Sequence, residues 1–350
     1  MTLSRSSHVR PLDLKLGRVD MAHGAGGRAM AQLIDEVFAR HLGNDYLGQG
    51  DDGALLPSPG PGQLVMATDS HVVSPLFFPG GDIGCLSVHG TINDVAMMGA
   101  DPLYMAAGFI IEEGFALAEL VRIVRSMTDA AKAAGVPVVT GDTKVVERGK
   151  ADGVFITTTG VGVVRAGQAL SGRYARPGDA ILISGTIGDH GMAIMAARES
   201  LGFDSPIVSD TAALHSLVAA MRESGAELHV LRDPTRGGLA TTLNEIARQS
   251  SVGMLLEEAE IPVNPAVSAA CELLGLDPLY VANEGKLVAI CAEKDAPSLL
   301  ATMRAHPLGR TAAIIGRVQA DEHHFVQMRT HLGGCRIVDW LSGDQLPRIC

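Results

Sequence analysis

The stretch FALAELVRIVRSMTDAAKAAGVPVVTGDTK, residues 115–144, sets the fold class. Residues 115–134 repeat apolar side chains with a helical period. Residues 136–140, Val-Pro-Val-Val-Thr, then form a short buried strand that delivers Gly141-Asp142-Thr143-Lys144. A helix feeding a strand is the repeating unit of an α/β chain. Upstream, residues 83–99 read as a helix and residues 62–68 as a strand ending in Asp69. Further back, Met30, Leu33, Ile34, Val37 and Phe38 give residues 28–42 an amphipathic helical face, and the glycine-rich His23-Gly24-Ala25-Gly26-Gly27 leads into it. Downstream, the Thr- and Val-rich residues 154–164 close this half as another strand. The apolar pattern lapses over 165–178, where Gly and Arg cluster. Beyond that seam, strands at 180–184, 254–257, 287–291 and 312–318 alternate with helices at 191–200, 212–224 and 238–249. The expected organisation is an N-terminal extension (1–20), a β-rich first domain (21–165) and an α/β second domain (178–335). A strand remnant and flexible tail (336–350) end in Cys350.

A chain of 350 residues with 47% hydrophobic composition can build two cores. With 28 Lys+Arg against 39 Asp+Glu, the formal charge is −11, which disfavours nucleic acid and anionic lipid as partners. No stretch approaches a spanning run of about 18 apolar residues. The first twenty residues also lack a signal-peptide core. These readings predict a cytoplasmic protein. The five cysteines, Cys85, Cys271, Cys291, Cys335 and Cys350, are odd in number and contain no C-x-x-C pair, which fits neither a disulfide framework nor a zinc ribbon. Four sit in ordinary settings for small buried hydrophobes. Burial does not explain Cys350, because a terminal residue is ordinarily solvated.

Carboxylates recur at element edges: Asp51-Asp52 in a loop, Asp69 at a strand end, Asn93-Asp94 within a helix, Gly141-Asp142 at a strand end. Each alone reads as a cap or turn residue. Together they suit an all-oxygen Mg²⁺ site, whose open positions phosphate oxygens fill. Neither G-x-x-x-x-G-K-[ST] nor G-x-G-x-x-G is present, which excludes a P-loop and a dinucleotide fold. Arg232-Asp233-Pro234-Thr235-Arg236-Gly237-Gly238 opens a helix with exposed N–H groups and a guanidinium, a phosphate-binding combination or a plain capped helix start. Asn283-Glu284-Gly285-Lys286 precedes a buried strand and places Glu284 at a cleft edge.

In order, HGAGG (23–27), DDGA (51–54), TDSHVVSPLFFPGGDIG (68–84), NDVAMMGA (93–100), GDTKVV (141–146), RDPTRGG (232–238) and the closing PRIC (347–350) resemble the HypE family of hydrogenase maturation factors. These are carbamoyl dehydratases of the aminoimidazole-ribonucleotide-synthetase-like superfamily. The resemblance covers roughly residues 21–350. It implies a two-domain fold, a homodimer formed through the β-strands of the first half, and ATP bound along the dimer seam. It also implies a carbamoyltransferase that loads the terminal cysteine, and delivery to a hydrogenase iron-scaffold complex. Carried over by position, Cys350 is the carrier thiol, and Asp52, Asp69, Asp94 and Asp233 are the Mg²⁺ and phosphate-site carboxylates. Lys144 and Glu284 are catalytic groups. Gly24, Gly26, Gly27, Asp51, Asn93, Gly141, Asp142 and Arg236 complete the nucleotide site. Arg348 is expected to offset the negative charge of the terminal carboxylate beside the thiol. Ten residues from Leu341 to Cys350 reach at most about 33–36 Å, enough to swing the thiol between an outside donor and an interior site. Two other readings remain: a superfamily kinase or selenophosphate synthetase, and a non-catalytic assembly scaffold. The absence of a cysteine before Cys85 weighs against the synthetase.

Overall fold

A computed structural model describes residues 11–49, 51–165, 170–198, 206–343 and 348–350. The end of the helix expected at 191–200, part of the 165–178 seam and Pro347 lie outside these residues.

The first half is built on a four-stranded sheet. Strands β1 (Gln63–His71), β4 (Asp101–Glu112), β5 (Val138–Val146) and β6 (Val154–Val164) lie in the order β1-β6-β4-β5, with only β4 and β5 parallel. A parallel pair needs a crossover, and α4 (Leu117–Ala134) supplies it. A short hairpin, β2 (Phe77–Phe78) and β3 (Gly81–Asp82), leads into α3 (Ile83–Met97). Asp82 caps that helix by accepting from the N–H groups of Gly84 and Cys85 at 2.8 and 3.2 Å. α3 lies close on the sheet because β6 offers glycine there: a Cβ at Gly162 would stand 2.5 Å from Val95. Leu86, Ile92, Met105, Ile111, Leu120, Ile123 and Ile156 fill the space between sheet and helices. The opposite face is open, with Leu64 67% and Met66 74% exposed.

The amphipathic segment 28–42 forms α1 (Arg28–Leu33) and α2 (Arg40–Leu42) joined by a π-helical stretch, Ile34–Ala39. Two differences from expectation concern the site. Asp69 lies inside β1 rather than at its end. Gly141-Asp142, expected at a strand end, lies inside β5, which runs on to Val146. β4 escaped the sequence reading because its alternation, buried at Met105, Ala107, Phe109 and Ile111, runs through Ala and Gly, which are weak strand formers.

The second half holds a seven-stranded sheet, ordered β13-β12-β9-β11-β7-β10-β8. Its strands are β7 (Ala180–Ile183), β8 (Leu228–Arg232), β9 (Gly253–Glu257), β10 (Val288–Cys291), β11 (Ala313–Gln319), β12 (Val326–Arg329) and β13 (Cys335–Ile337). Its helices are α5 (Asp189–Ala197), α6 (His215–Glu223), α7 (Gly238–Ser250), α8 (Pro265–Leu274) and α9 (Ala296–Ala305). Successive residues of β7 serve opposite faces, as strand geometry requires. Ile181 and Ile183 pack with Leu243 and Ile246 of α7, while Ala180 and Leu182 pack with Leu217 of α6 and Leu299 of α9.

Candidate functional site

Asp69 and His71 share the face of β1 turned toward α3, and Gly90 leaves the room they occupy. A Cβ at position 90 would lie 3.0 Å from His71 Nε2 and 3.5 Å from Asp69 Oδ2. Asp94 lies one helical turn beyond Gly90 on the same face of α3. Asp233 follows directly on β8 and opens the turn into α7. That turn needs its glycines. Gly237 and Gly238 have φ of 79° and 62°, and a Cβ at Gly238 would stand 2.5 Å from the Leu279 carbonyl. The three aspartates repel one another. Burial first, then Asp233 and Asp69, push the Asp94 carboxyl up to about 7. Burial, with a further push from Asp69, brings Asp233 to about 6.

Glu284 is placed by backbone contacts on both sides. Its N–H donates to Asp210 Oδ1 at 3.0 Å, and its carbonyl accepts from the Asn93 side chain at 3.1 Å. Next to it, a Cβ at Gly285 would fall 1.7 Å from the Asp210 carbonyl oxygen, so no side chain fits. Gly285→Ala is expected to force the two loops apart and destabilise the protein by about 3 kcal/mol. A urea midpoint equal to that of the wild type would refute this. Glu284 is 3% exposed, and its Oε1 is buried with no hydrogen-bond partner among the described residues. Burial above all, then the charges of Asp233, Asp210 and Asp69, raise its proton affinity well above the usual carboxylate range.

The chain terminus is seated here. The Cys350 thiol lies beside the Glu284 carboxyl and close enough to Arg236 and Asp69 to feel their charges. Burial and the adjacent Glu284 push the thiol well above its ordinary value, while Arg236 pulls it down. A docked Cys350 is therefore a neutral thiol.

Thus Asp69, Asp94, Asp233, Arg236, Glu284 and Cys350 come together. Asn93, expected at the nucleotide, instead clamps three backbone segments: its amide donates to Ala212 and Glu284 carbonyls and accepts from the Leu214 N–H. All its polar capacity faces protein. Arg348 departs from expectation as well. Its backbone is left-handed (φ 52°), and its guanidinium pairs with Asp152, so the cation that acts on the thiol is Arg236. Asp51 and Asp52 are exposed on the loop before β1. Among the described residues, no three acidic, His or Cys side chains form a ready-made metal centre.

Lys144 and Asp142 form a second group. They pair at 2.6 Å and are largely exposed. Gly24 presses on the same strand, where a Cβ would meet Val145 at 2.8 Å. Gly26 turns with φ of 74°, and Gly27 precedes α1 as its N-cap. In register, Asp69 faces Thr158, Thr158 faces Ala107 and Ala107 faces Gly141. Gly141 is thus in line with Asp69 across the sheet, three strand spacings or roughly 14 Å away. Asp142 and Lys144, exposed where Thr143 is buried, project from the open face, opposite to Asp69. Within one chain Asp142 and Lys144 are separated from Asp69 by the sheet itself.

Sequence reasoning missed Asp210 and Asn283. Asp210 lies in a segment without periodic pattern. Asn283 joins the Gly188 N–H to the Pro234 carbonyl, both at 2.7 Å, and so ties the Asp233 turn to Glu284. Its place beside Glu284 in Asn283-Glu284-Gly285-Lys286 was the available signal.

Residues 50–164 match the AIR synthase related protein N-terminal domain and residues 176–329 the corresponding C-terminal domain, which defines the two-domain class. The chain is 70% identical to the carbamoyl dehydratase HypE of Cupriavidus necator over 98% of each chain. A HypE crystal structure in complex with ATP superposes with a TM-score of 0.91 at 51% identity, covering 95% of this chain and 99% of that one. A HypE chain from a HypE–HypF complex superposes with a TM-score of 0.78 at 50% identity, covering 88% of this chain and 99% of that one. The chain belongs to the HypE family of carbamoyl dehydratases. Among the described residues no helix is long and apolar enough to cross a membrane.

Proposed function

We propose that this protein, an ATP-dependent carbamoyl dehydratase of hydrogenase maturation, carries its substrate as a thiocarbamate on Cys350 and converts it to a thiocyanate beside Glu284. The seating of the Cys350 thiol against the buried Glu284 carboxyl carries this reading.

A thiocarbamate does not lose water readily, because hydroxide is a poor leaving group. Its carbonyl oxygen attacks the γ-phosphorus of ATP, ADP departs, and the nitrogen gives up one proton, leaving S–C(=NH)–O–phosphate. Removal of the remaining N–H proton as the C–O bond breaks yields S–C≡N and inorganic phosphate. Glu284 is positioned to take that proton. When its acidic neighbours are neutralised, the like-charge part of its shift is relieved. The burial part remains and keeps the carboxyl basic enough to serve.

Asp69, Asp94 and Asp233 are all-oxygen donors whose mutual repulsion a cation would relieve, and that chemistry fits Mg²⁺. Bound there, Mg²⁺ would spread the charge that develops on the transferred phosphoryl group. Asp52, on its exposed loop, is the least supported of the four expected ligands. The open sheet face with Leu64 and Met66 supports a homodimer formed through the first half. Lys144 and Asp142, on the wrong side of the sheet for their own carboxylates, would then serve the partner's nucleotide.

Loading requires a reactive thiolate, which the docked thiol is not. The tail therefore leaves Glu284 to receive its carbamoyl group from a carbamoyltransferase, and the product passes on to the hydrogenase iron scaffold. The protein would act in the cytoplasm. A kinase of a free small molecule would have no use for a terminal thiol beside a buried carboxyl, and a scaffold would need neither group.

Intact-protein mass spectrometry with the carbamoyltransferase, carbamoyl phosphate and ATP tests this. A carbamoyl adduct on Cys350 should convert to a cyano adduct only as ATP is hydrolysed. Cyanide-ligand formation by Cys350→Ser would refute it.

A further inference from the structure

The last three residues are held through each of their carbonyl groups. Val72 N–H donates to the Cys350 oxygen at 3.3 Å and Ser74 N–H to the Arg348 carbonyl at 3.1 Å. Arg198 adds a second donor to Arg348 at 3.1 Å and reaches the Ser74 carbonyl at 3.0 Å, joining tail to segment 72–74. One carbonyl lies between these two. That carbonyl, of Ile349, meets Nε2 of His190 at 2.7 Å.

His190 has no exposed surface, and its ring stands edge-on to Phe78 at 5.5 Å between centroids. A carbonyl only accepts, so Nε2 carries the proton. In the neutral ring Nδ1 then accepts, here from the Ser209 hydroxyl at 2.7 Å. Ser209 Oγ in turn accepts from Thr211 N–H at 3.2 Å. The relay fixes the tautomer that can hold the tail. Burial lowers the proton affinity of the imidazole, which keeps it in this neutral form.

The relay also meets the catalytic carboxyl. Ser209 and Asp210 are consecutive residues. Asp210 accepts from the Glu284 backbone, and its Oδ2 lies 3.2 Å from Lys286 Nζ. One loop thus sets both the tail, through Ser209 and His190, and Glu284, through Asp210.

We propose that His190 is a positioning residue that latches the C-terminal peptide, so that the group on the Cys350 sulfur is presented to Glu284. The proposal rests on the reading of Cys350 and Glu284 given above. It predicts opposite effects on the two half-reactions: weakening the latch should leave thiol loading intact or faster and slow dehydration.

The first measurement needs neither partner nor nucleotide. Iodoacetamide labelling of the full-length protein, read at the Cys350 peptide by mass spectrometry, should be about tenfold faster in His190→Ala than in wild type, the effect of losing one buried hydrogen bond and orphaning the carbonyl. In single-turnover assays the same variant should accept the carbamoyl group at the wild-type rate or faster. It should convert that group to the cyano adduct about tenfold more slowly, with ATP affinity unchanged. His190→Gln, whose amide can donate from a similar position, should recover part of both effects. Ser209→Ala, which removes only the tautomer-fixing hydroxyl, should show a smaller shift in the same direction and guards against a folding defect in His190→Ala.

Equal labelling rates in all variants would overturn the latch, as would loss of loading and dehydration in equal measure. If wild-type protein never forms the cyano adduct, the reading of the reaction fails. The labelling result would then still decide whether His190 holds the tail.

Discussion

Glu284→Gln is expected to accumulate the carbamoyl adduct on Cys350 and to form the cyano adduct about 10³-fold more slowly, the loss typical of removing a general base. Gln has nearly the same shape, and its backbone contacts to Asp210 and Asn93 do not involve the carboxyl, so the fold should survive. Loading should also survive if, as proposed, the thiol meets its carbamoyl donor away from Glu284. Binding of ATP should not weaken, since the substitution adds no negative charge to a cluster that already holds Asp69, Asp233 and Asp210. Mass spectrometry of single turnovers separates these outcomes. A variant that dehydrates at the wild-type rate would remove Glu284 from the chemistry and leave the proton to another acceptor.

The second large effect should appear only in mixtures. If Lys144 serves the partner's carboxylates, Lys144→Ala and Glu284→Gln homodimers are each inactive. Mixing equal amounts under conditions of subunit exchange should restore about a quarter of wild-type activity, because half of the dimers are mixed and each has one complete site of two. The geometry behind this is the separation across the sheet: Lys144 projects from the open face at the β5 edge, and Asp69 lies on the helix side at the β1 edge. Were both residues needed in the same chain, mixed dimers would offer no complete site and no activity would return.

The two domains were legible in the sequence because helical periodicity at 117–134 and short apolar strands at 180–183 and 288–291 are local signals. So were the residues of the carboxylate cluster, since Asp69, Asp94, Asp233 and Glu284 each sit in a distinctive motif. What the sequence did not reveal depends on contacts between distant segments. Asn93 looks like a nucleotide ligand beside Asp94, yet its amide meets residues 212, 214 and 284. Lys144 is expected as a catalytic group, but strand order puts three spacings and a change of face between it and Asp69. Arg348 looks like the thiol's counter-charge until a left-handed backbone turns it to Asp152. His190 and Asp210 had no motif of their own, because their roles exist only once the chain terminus is seated.

The neutral state of the docked sulfur has a consequence for its durability. Peroxides attack thiolates far faster than thiols, so a terminus parked against Glu284 between turnovers is shielded from sulfenic and sulfinic damage. Cys335, by contrast, is exposed on β13. On the proposed reaction, the contact that presents the substrate for dehydration would also preserve the carrier between loads.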